Sequence, residues 1–478
     1  MQLDYYGKHR IMSFVSLYFI LFLPILCITY WLCPLRWRNS LLLVASVLFY
    51  MLPHPTYGVM LVWVWASSYL AVRWVSRDNP PLSRLWVGVL GVLLPMLFFK
   101  IKAPVVDAFF PQGLPTGIPG LNWIFPLGLS CYSLQAVSLI IDVYKGRTQR
   151  DPSLVNHALY VSFLPTVTSG PILHSTDLMW QITANRGGFD RDMAFIGTKR
   201  LIWGLFLKVV VADRFGIYVN AVLGHSTLYN SPTVFIALLC YTVQIYCDFA
   251  GYSQMAIGTA NLLGFDMPEN FRRPLFSMGL KELWTRWHIS LSSWLRDYVY
   301  IPLGGSRCKT WRMCLNLLAT FSVSGMWHGV RLSYLCWGLG NGLMVMLEHF
   351  LPLKRWRSKP VIRIFYSILS ICIMSLLLAF FFDHIEQSID ILRVLFTKGF
   401  DGGWIMIDTI RTKATLIAMA GGFAIVAMRD IYEEFFPTAL ASWHKGRSAV
   451  TFMFYIILIM LVLVFGVMET GQFIYLRF

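Results

Sequence analysis

A chain of 478 residues that is 57% hydrophobic and only 13% charged falls well below the roughly 25% charged residues of a soluble globular protein. With a mean hydropathy of +0.60, that balance excludes a soluble enzyme and predicts an all-α polytopic membrane protein, one intramembrane domain over residues 1–478 with no loop long enough for a soluble domain. The formal charge of +16, from 40 Lys and Arg against 24 Asp and Glu, does not point to nucleic acid, because the basic residues lie in short clusters between apolar runs, the positive-inside pattern.

In chain order the apolar runs fall at 13–32, 40–52, 56–75, 85–101, 122–143, 201–222, 233–263, 313–330, 332–351, 364–383, 413–428 and 448–467. They predict about 11–12 transmembrane helices with both termini outside. The first run has no small-residue cleavage site and contains Pro24, so it reads as a span and not as a signal peptide. Pro53-His54-Pro55 reads as an outer turn. Clusters such as Arg73/Arg77/Arg84, Arg272/Arg273/Lys281 and Arg307/Lys309/Arg312 place the cytoplasm, while loops 103–121 and 219–232, nearly free of Lys and Arg, face outside. Some of these basic residues also suit anionic membrane lipids. Loop 384–412 breaks the rule: counting puts it outside, yet it carries Arg393, Lys398 and Arg411. Either the count fails there, or the loop is an amphipathic segment on the outer surface.

Segments 154–174 and 288–304 lie between basic clusters and do not fit as crossings. The first contains Pro165 and Ser169-Gly170-Pro171; the second ends at Pro302-Leu303-Gly304-Gly305. Each must enter and return on one side, and such backbone survives at membrane depth only where protein buries it or it lines a cavity. A protein-lined cavity open to the cytoplasm follows. The nine cysteines include no C-x-x-C pair and read as reduced packing residues.

Residues 241–345 form the expected catalytic core. Within it 241–305 is densest in polar residues at membrane depth, among them Gln244, Asp248, Asn270, Arg286, His288, Arg296 and Asp297. Were 284–295 one helix, Trp284, His288, Leu291 and Leu295 would share a face, with Arg286, Arg296 and Asp297 bracing it. His288 then either looks into the cavity or bridges helices by hydrogen bonds. His328 stands in Ser324-Gly325-Met326-Trp327-His328-Gly329, where the flanking glycines allow backbone or substrate to approach closely. A neutral imidazole there could take the proton of a hydroxyl as its oxygen attacks a thioester carbonyl; the alternative is a satisfied core histidine. Asp248, a lone carboxylate in an apolar run, either orients a histidine or pairs with an arginine. The sequence holds no P-loop, dinucleotide fingerprint, His-E-x-x-His or G-x-S-x-G motif, and no metal site is expected.

The joint pattern of Gln244-Ile245-Tyr246-Cys247-Asp248-Phe249-Ala250-Gly251-Tyr252-Ser253, Pro268-Glu269-Asn270-Phe271, Arg286-Trp287-His288-Ile289-Ser290-Leu291-Ser292, Trp294-Leu295-Arg296-Asp297-Tyr298, Ile301-Pro302-Leu303-Gly304-Gly305 and Trp327-His328-Gly329 resembles the membrane-bound O-acyltransferase (MBOAT) family. The branch is the bacterial one of the alginate and peptidoglycan O-acetyltransferase membrane subunits and the D-alanyl transferase of teichoic acids. The resemblance implies the MBOAT fold, helices and re-entrant helices around a central funnel, with His328 as catalytic histidine and His288 as the second. Trp327, Gln244, Asp248, Arg296, Asp297 and Asn341 are the expected funnel and support residues. It implies a cytoplasmic acyl donor, acetyl-CoA or, in some members, a carrier-protein thioester, with no bound cofactor. The acceptor side faces outside, where an exported polysaccharide and a separate SGNH-type acyltransferase or esterase would complete the transfer. Three positions depart from the usual pattern: Asn341 where many relatives carry histidine, Gln254 for the usual aspartate, and Phe381-Phe382-Asp383-His384 for Phe-Phe-Arg-Ala.

The tail at 468–478, with Gln472-Phe473-Ile474-Tyr475-Leu476-Arg477-Phe478, resembles the terminal aromatic motif of the branch. Tyr475 is either an acyl carrier, its phenol being a possible nucleophile near a base, or an interfacial anchor. The expected function is therefore O-acylation of an extracytoplasmic polysaccharide such as alginate, peptidoglycan or cellulose by a multi-pass protein of the bacterial cytoplasmic membrane. The alternative is an exporter of polysaccharide or lipid intermediates.

Overall fold

The structure, a computed structural model, describes residues 14–77, 79–109, 125–184, 187–403, 413–436 and 448–467. Regular structure among them is helical, with no strand. They pack as two compact units, one of residues up to Leu201 together with Met255–Pro268, the other of Ile202–Gln254 with the residues from Glu269 onward.

The first unit opens with α1 (Leu17–Leu32), α2 (Leu35–Met51), α3 (Tyr57–Val75), α4 (Leu82–Phe109) and α5 (Leu129–Tyr144). Ser16 caps α1, its hydroxyl accepting from Phe19 N at 3.2 Å. Helices α3, α4 and α5 pack on one another. Tyr57–Val75 and Leu82–Val106 are each long and apolar enough to cross a membrane, in line with the runs predicted there.

Segment 154–174 is not a crossing helix. α6 (Leu154–Ser162) has nine residues, a rise of about 14 Å against a hydrocarbon core of about 30 Å. The chain then turns through 163–174 before α7 (Ser175–Thr183). Protein buries this irregular backbone, as the physics of re-entrant chain demands: Leu164, Val167, Gly170 and Leu173 are all buried. Leu164 N donates to Ser46 Oγ at 3.1 Å, and the Tyr160 hydroxyl reaches Leu173 O at 3.2 Å. Gly128, at φ +71, begins α5 against this turn, where a Cβ would lie 1.9 Å from Val167 O.

α8 (Arg191–Leu205) continues into a wide π-helical turn, Phe206–Ala212, and then α9 (Asp213–Leu223). The expected span 201–222 is thus three helical pieces. In the second unit this turn packs on α10 (Ser231–Leu262), with Gly251 close to Gly204 O and Lys208 N. There follow α11 (Leu280–Arg286), α12 (Ile289–Leu295) with a second π-turn at Arg296–Tyr300, α13 (Thr310–His328), α14 (Leu332–His349), α15 (Leu353–Arg357), α16 (Pro360–Leu377), α17 (Ile385–Thr397), α18 (Lys413–Phe435) and α19 (Ala449–Phe465). α17 buries Ser388, Ile391 and Val394 and exposes Ile389 and Phe396, so the start of loop 384–412 is helical.

Helices α13 and α14 pack backbone to backbone. A Cβ on Gly325 would stand 2.2 Å from Tyr334 O, and one on Gly338 2.3 Å from Phe321 O. Glycine here lets two backbones touch, which fixes α13 and the histidine at its end.

Candidate active site

His288 does not lie within a helix running 284–295. α11 ends at Arg286, Trp287 is extended, and His288 takes a left-handed conformation, φ +45 and ψ 52, as the cap of α12. The face shared by Trp284, His288, Leu291 and Leu295 therefore does not exist. The reason is a competing set of bonds to Asn270, which is fully buried. Its carbonyl accepts from Ile289 N at 2.9 Å. Its side-chain Oδ1 accepts from Ser290 N at 3.1 Å and Ser290 Oγ at 2.9 Å. Its Nδ2 reaches Ser253 Oγ at 3.0 Å.

These bonds also fix how the His288 ring is protonated. A backbone N–H can only donate, so the Ser290 bond makes the Asn270 side-chain atom facing it the oxygen. His288 Nδ1 lies 3.3 Å from that oxygen. A neutral His288 satisfies the contact with its proton on Nδ1, which leaves Nε2 as the accepting nitrogen.

His328 is the last residue of α13 and is 4% exposed. Its ring is edge-on to Trp337 at 5.1 Å and to Phe381 at 5.0 Å between centroids. Trp327 connects the two histidines. Its ring centroid is 4.8 Å from that of His328 and 6.2 Å from that of His288. Phe249 closes the other contact of His288 at 4.5 Å. The two histidines, forty residues apart in sequence, thus share one aromatic enclosure. The space beside the Trp-His pair that glycine leaves open is filled by Tyr334, not left to substrate: a Cβ on Gly329 would sit 2.6 Å from its ring.

The support residues divide. Arg286 does brace the site, meeting Glu434 at 2.8 and 3.1 Å and Glu282 at 2.6 Å. Glu434 also holds Arg273 at 3.2 Å and Arg363 at 3.0 Å, so one carboxylate ties the chain before His288 to α16 and α18. Arg296 and Asp297 brace nothing: they pair with each other at 2.7 Å, with Arg296 61% exposed. Asp248 pairs with a lysine, Lys208, at 2.7 Å. Asn341, fully buried, donates to Trp337 O of its own helix at 2.9 Å. Gln244 lies on α10, with its amide against Gly216. Tyr475 lies outside the described residues. Among those residues no three His, Cys, Asp or Glu side chains are grouped as a metal would require.

Sequence reasoning gave no role to Asn270, Lys208, Tyr334, Trp337 or Phe381. Lys208 had a signal, a lone cation in the apolar run 205–212 opposite a lone carboxylate in another. The aromatic enclosure had none, because aromatic residues are 16% of this chain and those around His328 come from separate segments of the chain.

The family model for the membrane-bound O-acyltransferase family matches residues 121–383, more than half of the chain and the part that holds both histidines. The chain belongs to the membrane-bound O-acyltransferase family. It is 33% identical over 447 residues, 89% of each chain, to a protein of Pseudomonas putida described as a probable alginate O-acetylase. It is 29% identical over 374 residues to a peptidoglycan O-acetyltransferase of Helicobacter pylori, covering 70% of this chain and 69% of the other. It is 30% identical over 319 residues to a teichoic acid D-alanyltransferase of Streptococcus thermophilus, covering 63% and 72%. This O-acyltransferase is a membrane protein whose reaction joins an acyl group to a hydroxyl. An enclosure of two buried imidazoles in aromatic walls fits that chemistry, since it keeps water from an acyl donor while supplying a proton acceptor.

Proposed function

We propose that this O-acyltransferase takes a small acyl group, acetyl, from a cytoplasmic thioester and delivers it for O-acylation of an extracytoplasmic polysaccharide. The observation that carries the reading is the pair of buried histidines, His288 and His328, in ring contact with the same tryptophan. The descriptions of the relatives as O-acetylating proteins support acetyl, with acetyl-CoA as donor and a carrier-protein thioester as the lesser candidate. They do not favour an exporter. The protein is then a multi-pass protein of the bacterial cytoplasmic membrane, one transmembrane domain with its catalytic core at 241–345. A separate SGNH-type acyltransferase or esterase outside completes transfer to the polymer.

In this reading His328 takes the proton of the incoming hydroxyl as its oxygen bonds to the thioester carbonyl carbon. The tetrahedral adduct collapses by breaking the carbon–sulfur bond. The departing thiolate takes the proton from the imidazolium, so ester and thiol leave and the histidine is neutral again. His288, its Nδ1 committed to Asn270, offers Nε2 as an acceptor for a second donor of the incoming molecule and so helps to orient it.

His328→Ala in the full chain tests this. Membrane insertion stays normal, and transfer of label from acetyl-CoA to acceptor falls by at least about a hundredfold, the scale of losing a general base. Full transfer by the variant ends the proposal.

A further inference from the structure

The first unit holds a groove of about 450 Å³ between α3 and α4, lined by Ser67, Leu70, Arg73, Trp74, Arg77 and Gly91 among others. Glycine shapes it. A Cβ on Gly88 would stand 2.7 Å from the Ala71 Cβ, so the helices come close there, whereas a Cβ on Gly91 would have no atom within 4 Å. Trp63 Nε1 donates to Gly91 O at 2.9 Å and ties the two helices beside that notch. Leu70, Trp74 and Val87 are exposed on two helices each able to cross a membrane, so the groove opens toward lipid.

Its two ends differ in chemistry. At one end stand Arg73, in the last turn of α3, and Arg77. Neither guanidinium has a hydrogen bond or ion pair among the described residues, and no Asp or Glu is among the described lining residues. Two guanidiniums on one groove repel each other, and an anion between them reverses the sign. Arg84 stands 5.7 Å over the Trp74 ring and adds a third cation to this end. In sequence, 73–84 holds these three arginines against one acid, Asp78. The other end is apolar: Ser67 commits its hydroxyl proton to Trp63 O at 2.7 Å. From Arg77 to Ser67 the chain rises about 15 Å, half of the roughly 30 Å hydrocarbon core. The groove is therefore one leaflet deep, cationic at the membrane surface and apolar below it.

We infer that this groove is a binding site for an anionic glycerophospholipid. The lipid phosphate lies on Arg73 and Arg77, since guanidinium pairs phosphate oxygens in a fixed fork. One acyl chain follows Leu70 and Trp74 down to the notch at Gly91. The charge pattern makes this the cytoplasmic leaflet. The site stands apart from the acyltransferase reading and holds whether or not His328 transfers an acyl group.

The full chain in detergent is titrated with phosphatidylglycerol or with phosphatidylcholine of the same acyl chains, and retained lipid is counted by native mass spectrometry. The parent retains phosphatidylglycerol with at least about tenfold higher affinity, since each arginine near the membrane surface contributes about fivefold. The double variant Arg73→Gln/Arg77→Gln loses about twentyfold of that affinity. Arg307→Gln/Lys309→Gln, on another exposed basic loop, leaves it unchanged. Gly91→Leu fills the notch. It weakens phosphatidylglycerol retention while the lipid-free unfolding temperature holds or rises, because leucine suits a helix better than glycine, an outcome that a merely damaged fold cannot give. Inorganic phosphate at the lipid's concentration does not displace it. Equal retention of the two lipids, equal loss in the two double variants, undiminished retention by Gly91→Leu, or displacement by inorganic phosphate overturns the site.

Discussion

Lys208 Nζ lies 2.7 Å from an oxygen of Asp248 and 2.7 Å from an oxygen of Asp213, and the side chains of Lys208 and Asp248 are each 1% exposed. The lysine stands in the π-helical turn Phe206–Ala212, where the widened ladder re-aims a side chain that a regular helix would direct elsewhere. Two carboxylates and one ammonium out of water tolerate the loss of the cation poorly. Lys208→Met strands Asp248 and costs about 3–5 kcal/mol, read as a lower unfolding temperature of the detergent-solubilised protein. The double variant Lys208→Met with Asp248→Leu recovers much of that loss. Equal stability of Lys208→Met and the parent would show that the pair does not hold the helices together.

Asn270 positions His288, its side-chain oxygen facing Nδ1 and accepting from Ser290 N. Asn270→Ala removes the oxygen that faces Nδ1 and frees the ring to rotate or change tautomer. We expect kcat to fall by about a hundredfold, the scale of a misplaced catalytic group, with KM for the donor little changed and the pH–rate profile shifted. Asn270→Asp keeps an acceptor at the same place and restores part of kcat. A drop in stability with an unshifted pH profile would assign Asn270 a structural role only.

Gly325 sits where α13 and α14 touch. Its alanine variant would press a methyl group to 2.2 Å from Tyr334 O, so the helices must separate, at a cost of about 1–3 kcal/mol for an overpacked contact. His328 is three residues further along the same helix, and kcat falls with stability. A fully active and equally stable Gly325→Ala protein would contradict the close approach.

Tyr475, either acyl carrier or interfacial anchor on the sequence, has a direct test of its own. Tyr475→Phe keeps the ring and removes the nucleophilic oxygen. Loss of transfer, with loss of label from a C-terminal peptide isolated after donor addition, is the expected result. Undiminished transfer leaves the tail as an anchor.

The apolar runs were legible because they rest on a property that length and hydropathy carry directly. α3, α4, α10 and α16 each appear where the sequence placed them. The break at His288 was not legible. Helical periodicity across Trp284 to Leu295 is satisfied by the residues, yet the backbone follows Asn270, 18 residues upstream of His288, and no local pattern reports a bond of that span. Asp248 shows the middle case. Its cost at membrane depth announced a partner, but the partner's identity depended on which helix lies alongside. Phe381 and Trp337 were invisible because an aromatic wall is recognisable only once its members meet.

Two of the three non-glycine residues with positive φ among those described are Arg273 and His288, at +48 and +45, close to the two ends of the segment that leads into α12. Each left-handed residue costs roughly 1–2 kcal/mol, against a total stability for a folded domain of only about 5–15 kcal/mol. A stabilisation campaign guided by backbone geometry would select both positions for glycine. At Arg273 that choice removes a tie to Glu434; at His288 it removes an imidazole that the proposed reaction uses. On that proposal heat resistance and turnover are opposed at a single torsion angle, and variants screened for thermal survival alone drift toward an inactive protein at residue 288.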